Sequence, residues 1–293
     1  MNQNIIYFIT YMYSSLKTRP IKHSVKKHHK LKDKVKHTLQ DCFKFNAFST
    51  FPYLKDSYTS KQAIKKTNSG NCIALSMFIK QQLKDNFNID SYLIPATVPS
   101  YIHKEGYLDI CHVALMIPVN KNSVYLVDPA FYIMDPMLIQ INGGKQNPVK
   151  SMNIYENKVD TVNPSLQQCG ERLALNEYQS FPKGTRYCQC YYNGDSHDTW
   201  NYYLREIMNP DQAVSRFFTA IRNEPFFVST KVEDGLCKKD IIIRTYNGGD
   251  HVSIKLNDST IYDGHLSNIP QSVKQQMSDL LMNRGYDNRI LNL

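Results

Sequence analysis

Three residues with the side chains of a thiol catalytic triad follow one another along the chain: Cys72, His112 and Asp128. A thiol needs a base to become a good nucleophile near neutral pH, and the base needs a carboxylate to orient its ring. Each residue alone also fits a structural role, as a buried helix cysteine, a core histidine or a turn aspartate. Together, at a predicted helix start, inside a strand and at the end of the next strand, they indicate catalysis through a covalent thioester.

Apolar spacing predicts the helix that would position Cys72. The segment 72–84 repeats apolar residues every four positions along one face: Leu75, Ile79 and Leu83. Ser69-Gly70-Asn71 comes directly before it and offers capping side chains and a permissive turn. Cys72 would then lie in the first turn, where the helix dipole and the backbone N–H groups favour a thiolate and can stabilise an oxyanion.

Period-two alternation predicts that His112 and Asp128 lie on two adjacent strands, 109–119 and 123–128. A three-residue loop at 120–122 would set Ala114 opposite Asp128, so that His112 and Asp128 share one face of the sheet. A two-residue loop would place the two side chains on opposite faces. The triad therefore predicts an odd number of loop residues.

The rest of the chain mixes helical and strand patterns. Residues 1–70 are polar and basic, with an apolar repeat of four that predicts a helix face. A strand-rich tail with a turn at Asn247-Gly248-Gly249 is predicted after residue 226. Two further helices are predicted, at 198–222 and at about 270–284. The helix face predicted within residues 1–70 consists of Leu31, Val35, Leu39 and Phe43.

The composition is that of a folded, basic protein. Hydrophobic residues make up 42% of the 293 residues, which excludes a disordered chain. The net charge is +9, and seven lysines lie between Lys22 and Lys36. These lysines could attract a phosphorylated cofactor, nucleic acid or an anionic surface, or form a solvated helix face or a loose arm. No aromatic residues interleave with them, so binding of single-stranded nucleic acid is not predicted.

The seven cysteines are odd in number and dispersed, so no disulfide framework is predicted. A reducing, cytoplasmic location follows as an expectation. The apolar run 5–9 is too short to span a bilayer and lacks the features of a signal peptide, so no membrane attachment is expected. Cys188-x-Cys190, with Cys169 and His197 nearby, lacks the spacing of a zinc knuckle, so no metal is predicted.

Around Cys72, His112 and Asp128 the chain resembles the arylamine N-acetyltransferases and, more broadly, the transglutaminase-like cysteine enzymes. The likeness covers nearly the whole chain, through its length, the triad spacings and the strand-rich tail. Asp128-Pro129-Ala130-Phe131 is similar to the family's Asp-Val-Gly-Phe segment.

The resemblance implies an α+β fold in three parts. A helical domain over 1–88 would carry Cys72, a β-barrel domain over 89–197 would carry His112 and Asp128, and an α/β lid would cover 198–293. It also implies ping-pong transfer of an acetyl group from acetyl-CoA, a co-substrate, to a small-molecule amine of the arylamine type.

The sequence departs from the family pattern around the cysteine. Asn68-Ser69-Gly70-Asn71-Cys72 keeps only the second glycine of the family's Arg-Gly-Gly-x-Cys, and Ala74 stands where the family has glutamate. Two other functions therefore stay open. One is a transglutaminase-like thiol hydrolase or amidase, and the other is a catalytically silent binding protein that keeps the fold.

Overall fold

The structure, a computed structural model, describes most of the chain in ten ranges: 24–96, 112–140, 147–153, 158–168, 173–175, 178–181, 186–192, 199–204, 225–234 and 236–291. These residues form a mixed α+β fold, as the sequence predicts at that level. None of the helices in these ranges is long and apolar enough to cross a membrane.

The described residues form five α-helices and sixteen strands, numbered here in chain order. The helices are α1 Ser24–Phe45, α2 Phe51–Lys55, α3 Ser60–Thr67, α4 Cys72–Phe87 and α5 Gln271–Asn283. The strands are β1 Ala47–Ser49, β2 Ser69–Gly70, β3 Tyr92–Ala96, β4 His112–Asn120, β5 Ser123–Val127, β6 Met137–Gln140, β7 Val149–Asn153, β8 Lys158–Gln168, β9 Leu173–Leu175, β10 Tyr178–Phe181, β11 Arg186–Tyr192, β12 Thr199–Leu204, β13 Phe226–Glu233, β14 Leu236–Tyr246, β15 His251–Leu256 and β16 Ser259–His265.

Helices α1 and α4 pack together and against β4 around one hydrophobic core. The apolar face predicted for α1 is confirmed, because Val35, Leu39 and Phe43 are all buried in this core. Helix α4 begins at Cys72, as predicted, and ends at Phe87, three residues beyond the predicted end. Asn88 terminates it in the left-handed conformation, with φ 51°.

An eight-stranded sheet has the order β6-β5-β4-β3-β12-β11-β8-β7, with β5 and β4 next to its β6 edge. The described residues do not close it into the barrel that the family resemblance implies. One isolated bridge, Ile133–Ser151, links the segment before β6 to β7. A closed barrel would need continuous hydrogen-bonded pairing between two strands at this place. That segment is a turn with Tyr132 at φ 51°, so it cannot present an extended row of backbone groups.

The predicted helix at 198–222 is wrong at its start. Thr199–Leu204 is strand β12, which pairs with β11 and, at Tyr203, with Ala96 of β3. The spacing that suggested a helix also alternates, because the aromatic residues Trp200 and Tyr202 are two positions apart. Aromatic and β-branched residues favour a strand when neighbouring strands are available to pair. Residues 205–224 lie outside the described residues.

A six-stranded sheet combines two early strands, β1 and β2, with the last four strands, in the order β16-β15-β14-β13-β1-β2. The predicted strand-rich tail and final helix are confirmed, and α5 packs on this sheet through Met277 and Leu281. The predicted turn between β14 and β15 holds Gly248 and Gly249 at φ 73° and 104°, values that glycine adopts without strain. The three-domain division stays a prediction. Each of the two large sheets contains strands from two of the predicted domains.

The hairpin of β4 and β5 aligns as predicted but by a different route. Its loop has two residues, Lys121-Asn122, so the predicted three-residue loop is wrong. Val119 is an extra residue in β4, a bulge between the pairs Pro118–Val124 and Asn120–Ser123. The bulge restores the pairing of Leu115 with Val127, and one residue further this register sets Ala114 opposite Asp128.

Deletion of Val119 is therefore expected to leave a regular two-residue hairpin with the inner register unchanged. The stability cost should be about 1 kcal/mol, from the partly buried valine side chain alone. Deletion of Ala114, in the same strand but inside the ladder, should cost several times more, because it moves His112 and Val113 to the wrong faces. Urea unfolding of both variants tests this, and equal losses of stability would contradict the assignment of Val119 as the extra residue.

Candidate active site

A buried hydrogen bond joins the predicted base to its predicted carboxylate. His112 is the first residue of β4, and Asp128 directly follows β5. His112 Nε2 lies 2.6 Å from Asp128 Oδ2, and the two side chains are 3% and 0% exposed. In this low-dielectric setting, the bond to the carboxylate holds the imidazole in one orientation. With Nε2 donating to Asp128, Nδ1 is the ring nitrogen left to accept a proton from a nucleophile.

The turn after Asp128 adds an aromatic contact to the imidazole. The Phe131 ring meets the His112 ring edge-on, with centroids 4.8 Å apart. The turn is closed by the Tyr132 N–H, which donates to the Pro129 carbonyl at 3.1 Å. The ring of Phe131 and the carboxylate of Asp128 therefore hold the imidazole through different parts of its surface.

Cys72 lies at the N-terminus of α4, the helix that packs on the strand carrying His112. The Ser76 hydroxyl, one helical turn after Cys72, donates to the carbonyl of Val113 at 3.4 Å. Val113 directly follows His112 in β4. The side chain of Cys72 is 1% exposed and belongs to the same hydrophobic core as Val113. This bond, in the second turn of α4, thus joins the helix that begins at Cys72 to the strand that begins at His112.

A hydrogen-bonded cap defines the start of α4. Asn71 is the N-cap, and its Oδ1 accepts from the Ala74 N–H at 3.1 Å. The same oxygen accepts from the hydroxyls of Tyr53, at 2.9 Å, and Ser60, at 3.3 Å. All three side chains are buried. The sequence predicts the cap at residues 69–71 but not the two hydroxyls, since Tyr53 and Ser60 are distant in the chain and no local pattern links them to Asn71.

Gly70 is required by close packing at the same turn. A Cβ atom at residue 70 would lie 2.4 Å from the Ala74 Cβ and 2.9 Å from the Tyr53 hydroxyl. The small side chain of Ala74 and the missing side chain of Gly70 therefore depend on each other. This contact requires glycine at residue 70, because any side chain at residue 74 other than glycine carries the same Cβ atom.

Two other cysteines, Cys42 and Cys237, lie in environments that suppress thiol chemistry. Burial raises the pKa of Cys237 to about 12, and it raises the pKa of Cys42 further, with a smaller contribution from nearby Cys237. Both thiols therefore stay protonated near neutral pH. Cys111 and Cys169 lie outside the described residues.

The described part of the basic segment 22–36 belongs to α1. Lys36 pairs with Asp135 at 2.9 Å, and the Lys34 ammonium lies 4.9 Å from the centroid of the Phe87 ring. Lys30 and Lys32 are exposed. These placements fit a solvated helix face, and attraction of a phosphorylated co-substrate stays a prediction.

In the part of the chain that the structure describes, no group of three or more His, Cys, Asp or Glu side chains is arranged to hold a metal ion. Of the zinc-site residues weighed in the sequence, Cys188 and Cys190 lie in β11. Cys169 and His197 lie outside the described residues.

The fold is that of the arylamine N-acetyltransferases, as the sequence resemblance predicts. The chain is similar to the solved arylamine N-acetyltransferase from Bacillus cereus, with a TM-score of 0.53 and 14% identity over 86% of this chain and 90% of that chain. That enzyme is described as having a Cys-His-Glu catalytic triad. The arylamine N-acetyltransferase from Salmonella typhimurium is similar with a TM-score of 0.53 and 12% identity, over 95% and 91%. No protein-family model matches the sequence, and no curated protein matches it significantly.

Substitution of Gly70 by alanine is expected to destabilise the protein by about 2 kcal/mol, because the added methyl group overlaps Ala74 in a packed turn. Gly264→Ala is the matched control. There the new Cβ meets the far end of the Tyr262 side chain, which can rotate away. Chemical denaturation of both variants checks this, and an equal or larger loss at Gly264 would show that the turn before α4 is not tightly packed.

Proposed function

We propose that the protein is an acyltransferase that moves an acetyl group from acetyl-CoA to a small arylamine-type amine through a thioester on Cys72. The observation that carries the proposal is the buried bond between His112 and Asp128, in a fold shared with arylamine N-acetyltransferases. Cys72 heads the helix that packs on the strand of His112, so the thiol and its base belong to one packed unit. No metal is needed for this chemistry.

In the first half-reaction, His112 Nδ1 takes the proton of the Cys72 thiol. The thiolate attacks the acetyl carbonyl of the CoA thioester, and backbone N–H groups in the first turn of α4 stabilise the oxyanion. The bond between the carbonyl carbon and the CoA sulfur then breaks. The imidazolium of His112 returns the proton to the departing CoA thiolate, which leaves an acetyl group on the Cys72 sulfur.

In the second half-reaction, the amine attacks the acetyl carbonyl of the enzyme thioester. His112 accepts the proton that the amine nitrogen loses as the new C–N bond forms. The carbon–sulfur bond to Cys72 breaks, and the thiolate is again paired with the protonated His112. Asp128 keeps its hydrogen bond to Nε2 throughout and stabilises the imidazolium in both halves.

Cys72 is expected to be the most reactive thiol of the chain toward iodoacetamide near neutral pH. His112→Ala should slow its labelling by about 10²-fold, the lower end of the usual contribution of a positioned base. His251→Ala is the matched control, because His251 also bonds an aspartate, Asp263 at 2.7 Å, but in an exposed hairpin. Peptide mass spectrometry after timed labelling gives the rates. Rapid labelling of another cysteine while Cys72 stays inert would count against its role as nucleophile.

Incubation with acetyl-CoA is expected to add one acetyl group to the protein, since the thioester intermediate accumulates when no amine is present. Intact mass spectrometry should show this adduct in the wild type and in Cys42→Ser, but not in Cys72→Ser. A panel of arylamines and hydrazines should then release the acetyl group and restore the free mass.

Two outcomes would replace the proposal. If CoA is neither bound nor consumed while a peptide or amide is cleaved through Cys72, the protein is a thiol hydrolase. If neither reaction occurs and the thiol is unreactive, it is a binding protein that keeps the fold.

A further inference from the structure

Tyr53 reaches from α2 to the residue that precedes the proposed nucleophile. Its side chain is 4% exposed, and its hydroxyl donates to Asn71 Oδ1 at 2.9 Å. The same hydroxyl oxygen accepts from the backbone N–H of Asn71 at 3.1 Å. The hydroxyl therefore holds Asn71 at two points, one on the side chain and one on the backbone. Ser60 supports the arrangement, because its oxygen lies 3.3 Å from both the Tyr53 hydroxyl and Asn71 Oδ1.

The two bonds act on the first turn of α4 through Asn71. As the N-cap, Asn71 determines where the helix begins and satisfies the N–H of Ala74. Cys72 is the next residue, so its backbone direction follows from the conformation of Asn71. Without the hydroxyl, the buried N–H of Asn71 would lose its partner, and the amide side chain would be held less firmly.

We propose that Tyr53 is a positioning residue for the Cys72 nucleophile, which holds the N-cap Asn71 so that the first turn of α4 stabilises the thiolate. The inference rests on the proposed function for its catalytic consequence, but not for its effect on the thiol. Tyr53 acts through Asn71 and does not contact the acyl donor or the amine.

The protonation of Tyr53 suits this role. Burial raises the pKa of its phenol well above the usual value, and the nearby Cys72 sulfur adds to the shift, against the opposite effect of the Ser60 hydrogen bond. The hydroxyl therefore keeps its proton over the range of pH in which a thiolate forms. It stays a donor to Asn71 whether Cys72 is a thiol or a thiolate.

The test is the pH dependence of iodoacetamide labelling at Cys72, which reports the apparent pKa of its thiol. Tyr53→Phe removes the hydroxyl and keeps the ring. We expect the apparent pKa of Cys72 to rise by about one unit, so that labelling near neutral pH slows about tenfold. Acetyl transfer should lose kcat while the KM for acetyl-CoA is unchanged. Ser60→Ala should shift the pKa in the same direction by less.

Tyr286→Phe is the matched control, because it removes the hydroxyl of another buried tyrosine, which packs on Phe227 between α5 and the six-stranded sheet. A similar thermal destabilisation by both Phe variants, with the pH profile of Cys72 unchanged in Tyr53→Phe, would overturn the proposal. If Tyr53→Phe does not fold, the test is made with Ser60→Ala. An unshifted pH profile of Cys72 labelling in that variant overturns the proposal.

The outcomes separate this inference from the proposed function. If Tyr53→Phe shifts the labelling profile of Cys72 while the wild type accepts no acetyl group from acetyl-CoA, the role of Tyr53 is supported and the acyltransferase proposal is rejected. Normal acetylation of the wild type with no effect of Tyr53→Phe on either readout rejects the role of Tyr53 alone.

Discussion

The site depends on one buried hydrogen bond, between His112 and Asp128. A carboxylate and an imidazole with 0% and 3% exposure are costly to bury unless they satisfy each other, so their strands must hold them on the same face. That requirement explains the bulge at Val119, which corrects the register that a two-residue loop alone would impose. Both faces of β4 are covered, which leaves no other register that buries the same apolar residues.

At Cys72 the candidate site depends on a second constraint, the shape of the turn before α4. Gly70 leaves room for Ala74, Asn71 caps the helix, and hydroxyls from two earlier helices fix the cap. The six-stranded sheet supports this turn, because β2 pairs with β1 and β1 pairs with β13. The turn before Cys72 is therefore held by close packing at Gly70 and by hydrogen bonds to Asn71.

Local patterns predicted what depends on local physics. The start of α4 at Cys72 follows from a cap and an apolar repeat, and the two strands beside His112 and Asp128 follow from alternation. Predictions failed where residues distant in the chain determine the local structure. A strand at 199–204 exists because β3 and β11 are there to pair with it, and a bulge cannot be seen in a single strand's pattern. Tyr53 was missed for the same reason, since its bonds to Asn71 span 18 positions of sequence.

In the proposed mechanism, Asp128 holds the His112 ring so that its other nitrogen, Nδ1, accepts the proton of Cys72. The most direct measurement is the nitrogen NMR spectrum of the His112 ring, before and after alkylation of Cys72. We expect a protonated Nε2 in both states and an Nδ1 resonance that shifts markedly on alkylation. An Nδ1 resonance that does not respond to alkylation, or an Nε2 that carries no proton, would contradict it.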